Sequence, residues 1–186
     1  MTDTLQRPDG WDDILDQGER ILWQGRPDSS IIFKLSNIPT LIFGLFFAGF
    51  AVFWMAMASS AGGYFWMFGL IHFSVGIGVA FGSVLGPPWK RRHMWYTLTD
   101  RRAIIATNLP IKGKQLKSYP INADTVLDFT NGPLATIHFS HEMRRVKNGT
   151  RRKNIGFERI TDGHTVYKMM RDVQQKDHDR QAGNNE

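Results

Sequence analysis

An uncharged run of 55 residues, from residue 35 to residue 89, constrains the fold of this chain more than any other feature. The run contains no Lys, Arg, Asp or Glu, although 22% of the chain is charged. A helix needs about 20 apolar residues to cross the roughly 30 Å hydrocarbon layer of a bilayer. Residues 59–63 divide the run into two such lengths, and neither carries the polar stripe of a soluble amphipathic helix. We therefore predict a two-helix transmembrane hairpin in residues 35–89, with helices at about 38–58 and 64–86.

Basic residues beside the predicted helices indicate their orientation, because cytoplasmic flanks of membrane helices are enriched in Lys and Arg. The turn between the helices has no basic residue. The topology determinants lie on the outer flanks of the hairpin, and they are Lys34, Lys90, Arg91 and Arg92. We predict that both termini are cytoplasmic and that the chain crosses the membrane twice.

Small residues recur every four positions in both predicted helices, a spacing that favours close helix packing. The first helix contributes Gly44 and Ala48. The second contributes Ser74, Gly78, Gly82 and Gly86. We interpret these positions as helix contacts within the hairpin, and the alternative is self-association of two chains through the second helix.

His72 is the only ionisable residue in the two spans apart from tyrosine. Ionisable groups at membrane depth tend to be functional, so a proton relay or a haem ligand has to be considered. Because no carboxylate or second histidine accompanies it, we predict a neutral His72 that is hydrogen-bonded between the helices.

The polar remainder of the chain has two parts of opposite charge. Residues 1–34 hold four Lys/Arg and seven Asp/Glu, a net charge of −3. Residues 90–186 hold 19 and 10, a net charge of +9, and the chain total is +6. Basic residues are interspersed with aromatic residues in residues 86–105, as they are in proteins that bind single-stranded nucleic acid. A membrane exit explains this stretch, and we predict no nucleic-acid partner.

After the second helix the periodicity becomes that of strands. Residues 93–99 and 101–107 flank a polar corner at Asp100 and predict a hairpin. Residues 125–129 and 134–140 predict further strands, and Asn148-Gly149 predicts the turn of a second hairpin.

A helix is predicted near the end of the chain. Asp162 can cap it, and Val166, Met170 and Val173 fall on one face. Residues 90–176 are therefore predicted to form an α+β unit, a small bent antiparallel sheet or partly open β-barrel closed by a C-terminal helix. Residues 177–186 are polar and are predicted to be a disordered tail.

Six cations surround the predicted turn at Asn148-Gly149. They are Arg144, Arg145, Lys147, Arg151, Arg152 and Lys153. Charges at the end of a hairpin can prevent edge-to-edge pairing and maintain solubility. Alternatively, they can contact anionic lipid headgroups or an acidic partner. Both interpretations remain open from the sequence.

Sequence motifs for catalysis are absent. Without Cys, the chain can have no disulfide, thiolate catalysis or Cys-based zinc site. His138, His141 and Glu142 resemble a metal cluster, but residues three apart on a strand point to opposite faces, so they make a poor site unless the strand bulges. No Gly-rich phosphate loop or nucleophile elbow is present. We predict no catalysis, cofactor or metal, and an enzyme at the membrane interface around His72 or His138 is the alternative.

Three segments, in this order, resemble bacterial membrane-anchored proteins with a pleckstrin-homology-like domain. They are GERILWQGRP at 18–27, YTLTDRRAII at 96–105 and IGFERITDGHTVYKMMRD at 155–172. The resemblance covers residues 18 to about 176. It implies a seven-stranded bent sheet capped by a C-terminal helix, with one extended piece of the N-terminal segment 1–34 packing on it.

The resemblance also implies a place at the bacterial inner membrane, and it implies no reaction. The predicted function is a membrane-anchored binding or assembly module at the cytoplasmic membrane surface. Its expected partners are the lipid bilayer and other membrane proteins. Sensing of anionic lipid headgroups by residues 144–153 is the alternative within the same class.

Overall fold

The chain forms two compact units, seen in a computed structural model that describes residue 11 and residues 13–110, 112–146 and 149–183. The helical unit is Ser29–His93. The sheet unit combines the chain up to Asp28 with the chain from Met94 onward. The N-terminal segment is therefore divided at Asp28 and belongs mostly to the sheet unit.

Two long helices, α1 (Ile38–Ser59) and α2 (Phe68–Arg92), build the helical unit. Both are long and apolar enough to cross a membrane, so the two predicted apolar helices are confirmed as candidate spans. A short 3-10 turn precedes each helix, at Leu35–Asn37 and Phe65–Met67. The second turn occupies the predicted start of the second helix, so α2 begins later than expected.

The helix α2 also ends later than expected, because it continues through Pro87 and Pro88. Each proline removes one i→i−4 hydrogen bond, and its ring crowds the carbonyl of residue i−4, which is why the sequence predicted an end before them. The last turn carries the three predicted basic residues Lys90, Arg91 and Arg92, whose charge is favourable at a helix C-terminus.

Seven strands form two antiparallel sheets in the part of the chain that the structure describes. The four-stranded sheet has the order β1 (Ile21–Gly25), β2 (Met94–Thr99), β3 (Arg102–Leu109) and β4 (Gly113–Pro120). The three-stranded sheet has the order β5 (Asp128–Thr130), β6 (Ala135–Val146) and β7 (Gly149–Ile160). Helix α3 (Gly163–Gly183) follows. Antiparallel sheets followed by a C-terminal helix are what the sequence predicts.

Strands β1 and β2 are neighbours in the sheet, although both long helices separate them in the chain. Ile21 lies opposite Thr99, and Gly25 lies opposite Tyr96. The backbone N–H of Asp100 also donates to the carbonyl of Arg20. In the order of the chain, the helical unit thus lies between β1 and β2, two strands of the other unit that pair with each other.

Aromatic and aliphatic side chains from the two sheets and α3 form one core. The rings of Tyr96 and Phe157 stack at 4.8 Å between centroids, and Phe139 meets Phe157 edge-on at 5.2 Å. The helix face predicted from the sequence closes this core with three buried residues, Val166, Met170 and Val173. The amphipathic prediction for α3 is therefore confirmed.

The predicted disordered tail is helical as far as Gly183. The carboxylate of Asp177 accepts hydrogen bonds from the backbone N–H of Ala123 and from the amide of Gln181 one turn later. These contacts extend α3 past the apolar face that predicted it. Residues 184–186 lie outside the described residues.

Candidate functional site

A basic hairpin tip, defined here as residues 143–146 and 149–153, projects from the three-stranded sheet. Strands β6 and β7 each have 12 residues, whereas the third strand, β5, pairs only with residues 136–138. All described side chains of the tip are exposed. The tip is therefore a two-stranded ribbon with both faces in solvent.

The strand register brings like charges together in the tip. Arg144 lies directly opposite Arg151, and Arg152 lies opposite Met143. Like charges at directly opposed positions destabilise a strand pair. None of Arg144, Arg145 and Arg151 forms an ion pair with a described acidic residue. The four arginines thus make a local positive field whose repulsion no ion pair with a described carboxylate relieves.

Two exposed apolar side chains accompany the arginines, and the sequence analysis did not identify them. Met143 is 68% exposed and Val146 is 44% exposed. They stand three positions apart on β6, so they lie on opposite faces of the ribbon. Each face of the tip therefore combines one apolar side chain with arginines.

The six predicted contact residues differ in their surroundings. Arg144, Arg145, Arg151, Arg152 and Lys153 lie in the tip, while Lys147, like Asn148 of the predicted turn, lies outside the described residues. The pairing of Val146 with Gly149 confirms the hairpin itself. Lys153 differs from the arginines because it lies opposite the carboxylate of Glu142.

Glu142 forms a polar cluster at the base of the tip. Its carboxylate accepts hydrogen bonds from Lys117 and, at 2.9 Å, from Tyr119, both on β4. The hydrogen bonds from Lys117 and Tyr119 lower the pKa of Glu142. Burial and the bond to Glu142 raise the pKa of Tyr119 to about 12. The cluster links β6 to the edge strand β4 at the base of the tip.

A second polar cluster surrounds Glu19, in the segment before the two helices. Glu19 is 2% exposed and receives four hydrogen bonds. One oxygen accepts from the hydroxyl of Thr99 at 2.6 Å and the Nε of Arg102 at 2.9 Å. The other accepts from a terminal nitrogen of Arg102 at 2.7 Å and the backbone N–H of Asp16 at 2.8 Å. This bidentate pair links the chain before the helices to the hairpin after them.

The electrostatics of Glu19 favour its charged form. Burial alone would raise the pKa of its carboxyl, but the hydrogen bonds from Arg102, Thr99 and the backbone of Asp16 lower it to about 2. The same contact raises the pKa of Arg102. The ion pair with Arg102 therefore holds Glu19 in its charged form.

We expect acid to remove the contribution of Glu19 to stability. Because its folded pKa lies below the ordinary value of 4.5, this contribution is fully present above about pH 4.5 and is lost as the pH falls through 2. The full shift corresponds to about 3 kcal/mol. Thermal unfolding of the wild type and of Glu19→Gln in detergent at several pH values will check this. The difference between the two should shrink below pH 4.5, and a constant difference would contradict the assignment.

The contact between α1 and α2 uses a different face of the second helix from the predicted one. Gly44 and Ala48 of α1 are buried against Gly76 and Ala80 of α2. A Cβ on Gly44 would lie 2.5 Å from the backbone nitrogen of Ala80, and one on Gly76 would lie 2.7 Å from that of Ala48. These glycines allow the two backbones to approach each other closely.

The predicted small residues of α2 do not pack within the hairpin. A Cβ added at Gly78, Gly82 or Gly86 would meet no described atom within 4 Å, and Ser74 is exposed. The interpretation of these four residues as hairpin contacts is therefore wrong. Their use between two chains stays a prediction.

His72 lies beside an apolar groove of about 230 Å³ in the helical unit. Aromatic side chains line the groove, among them Phe47, Phe50, Trp54 and Phe68. The Nδ1 of His72 is 3.3 Å from the carbonyl of Phe68, one turn earlier in the same helix. The predicted hydrogen bond between helices is thus replaced by one within α2.

His138 and His141 share a face of β6, contrary to the expectation from their spacing. The register shifts by one residue between His138 and Ser140, which places His138 opposite Gly156 and His141 opposite Asn154. A bulge of this kind inverts the alternation of side chains beyond it. No group of three His, Asp or Glu within the described ranges is placed to hold a metal ion.

Comparisons with protein-family models, with curated proteins and with solved structures gave no match. Function therefore has to be inferred from the geometry of the two units themselves.

Proposed function

We propose that this chain is a membrane-anchored binding or assembly module without catalytic activity. In this proposal the sheet unit has a pleckstrin-homology-like fold and works at the cytoplasmic surface of the bacterial inner membrane. The observation that carries the proposal is the insertion of both apolar helices between the paired strands β1 and β2. An anchor built into one sheet, with an exposed basic tip on the other sheet of the same unit, suits a protein that presents a surface to partners.

The insertion also supports a defined topology. The chain leaves the sheet unit after Asp28 and returns to it at Met94. Two spans return the chain to the side from which it left, so β1 and β2 can pair only if both helices cross or neither does. Lys34 on one flank and Lys90 to Arg92 on the other favour the cytoplasm for that side.

Topology reporters will test the anchor. Reporters at the N-terminus and after residue 183 should behave as cytoplasmic, and one inserted after Gly62 should behave as external. The control is a chain that lacks residues 64–92, in which the C-terminal reporter should change side. An external C-terminus in the intact chain would contradict the proposed topology.

Cross-linking in intact membranes, followed by affinity purification, will test the assembly function. The control is a chain in which an unrelated soluble domain replaces the residues from Met94 onward. We expect a defined membrane protein to co-purify with the intact chain and not with this control. Equal recovery from both would contradict a binding role for the sheet unit.

A further inference from the structure

We propose that the basic hairpin tip docks onto an anionic lipid bilayer, with Met143 and Val146 in the headgroup layer and the arginines on lipid phosphates. The inference rests on the proposed membrane anchoring and specifies a ligand for the same module. That ligand is the surface of a bilayer containing lipids of net negative charge.

Charge is the first argument for this docking. Arg144 and Arg151 are directly opposed, and no described carboxylate neutralises them. An anionic surface would relieve this repulsion, and each basic residue that reaches such a surface contributes about a fivefold gain in partitioning. The tip thus supplies the charge complement of a negative leaflet.

The two apolar side chains give the second argument. Met143 is 68% exposed and Val146 44%, at the end of a ribbon that is otherwise polar. A tip that only maintained solubility would have no use for apolar side chains at its end. Apolar residues flanked by cations are the composition of segments that lie at the bilayer interface.

Strand geometry defines how the tip would enter. Val146 shares one face with Arg144 and Arg151, while Met143 shares the other with Arg145 and Arg152. Because the two faces are alike, neither is suited to lie flat on a partner while the other faces water. The arrangement favours end-on entry, with arginines on both sides reaching the phosphates.

Tethering lets weak contacts suffice for docking. In the proposed topology the sheet unit remains bound to a bilayer, so docking is an intramolecular event with a high effective concentration of lipid. An acidic protein dissolved in the cytoplasm would not have this advantage.

A single fluorescent label on the full chain will test the docking. The chain has no Cys, so Val146→Cys introduces a unique labelling site. The labelled protein is reconstituted into nanodiscs of phosphatidylcholine, with or without phosphatidylglycerol, and the discs contain a headgroup nitroxide quencher. The matched control is Val126→Cys, since Val126 is an 81% exposed valine of the same unit that lies outside the tip.

We expect a blue shift and quenching of the Val146 label only in anionic discs, and both should diminish as salt is added. Changing the four arginines of the tip to Glu should lower the docked-to-free ratio more than about a hundredfold, given about fivefold per basic residue. Met143→Ser should lower the ratio severalfold without altering charge. Hydrogen exchange of β1 will verify that these variants remain folded.

Three results would overturn the inference. They are an unquenched Val146 label in anionic discs, equal quenching of the Val126 and Val146 labels, and quenching that survives the four reversals. The discs contain no second protein, so absence of docking would leave the arginines to an acidic partner or to the prevention of edge pairing, and it would not affect the partner-capture experiment. Conversely, docking without any captured partner would support lipid contact and contradict assembly.

Discussion

Replacing Arg102 with Met should lower the free energy of unfolding of the sheet unit by about 3 kcal/mol, because Glu19 would remain buried and charged without its partner. The carboxylate of Glu19 would keep only Thr99 and one backbone N–H as donors. The contacts of Glu19 with Thr99 and Arg102 tie the N-terminal segment to β2 and β3. The loss of stability should therefore be greatest at β1. Hydrogen–deuterium exchange in mild detergent will measure it as faster exchange of β1 amides.

Arg101→Met is the matched control for this prediction. Arg101 is the preceding residue, is exposed, and makes only a long 3.5 Å hydrogen bond from its side chain to the carbonyl of Gln17. We expect its replacement to change stability by less than about 0.5 kcal/mol. Equal effects of the two substitutions would mean that the buried ion pair does not hold β1 in place.

Replacing Gly76 with Leu should disrupt the helical hairpin. The new side chain would meet the backbone of Ala48, with the first contacts at 2.7 Å and 2.9 Å. Backbone atoms cannot rotate away as a side chain can, so the helices would have to separate. Overpacking of this kind costs about 1–3 kcal/mol or more. Unfolding by SDS titration in mixed micelles, followed by circular dichroism, will measure the loss.

Gly82→Leu is the matched control, and it also distinguishes contacts within the hairpin from contacts between two chains. A Cβ at Gly82 meets no described atom within 4 Å, so the hairpin should be as stable as in the wild type. If this variant instead loses self-association, measured by energy transfer between labelled chains, the small residues of α2 serve contact between protomers. Loss of hairpin stability equal to that of Gly76→Leu would contradict the helix contact described above.

Features with a local pattern could be predicted from the sequence. The length of the uncharged run predicted two long apolar helices, alternation predicted the β2–β3 hairpin, and helical spacing predicted the buried face of α3. Strand β4 was missed because nearly all of its residues are exposed, so it shows no alternation of apolar and polar positions. An edge strand such as β4 forms by hydrogen bonding to the backbone of its neighbour, and the sequence of the strand alone does not reveal this pairing.

The polar clusters and the helix contact were harder to predict for a different reason. Glu19 and Arg102 are 83 positions apart, and no local spacing relates them. In α2 more than one face carries small residues, so spacing alone could not select Gly76 and Ala80 over Gly78 and Gly82. The bulge at Ser140 likewise changes which side chains of β6 share a face. Each case depends on tertiary contacts rather than on local periodicity.

The separation of β1 from β2 in the chain has a consequence for biosynthesis. Gly25 leaves the ribosome about 70 residues before Met94, which at a synthesis rate of about 5–20 residues per second is a delay of several seconds. During that interval β1 has no partner strand, and Arg102, the partner of Glu19, has not been synthesised. If only one helix entered the membrane, β2 would emerge on the opposite side from β1, and the sheet could not close. In the proposed topology, completion of the sheet is therefore coupled to correct membrane insertion, and a chain inserted only once would expose an unpaired strand to cellular proteases.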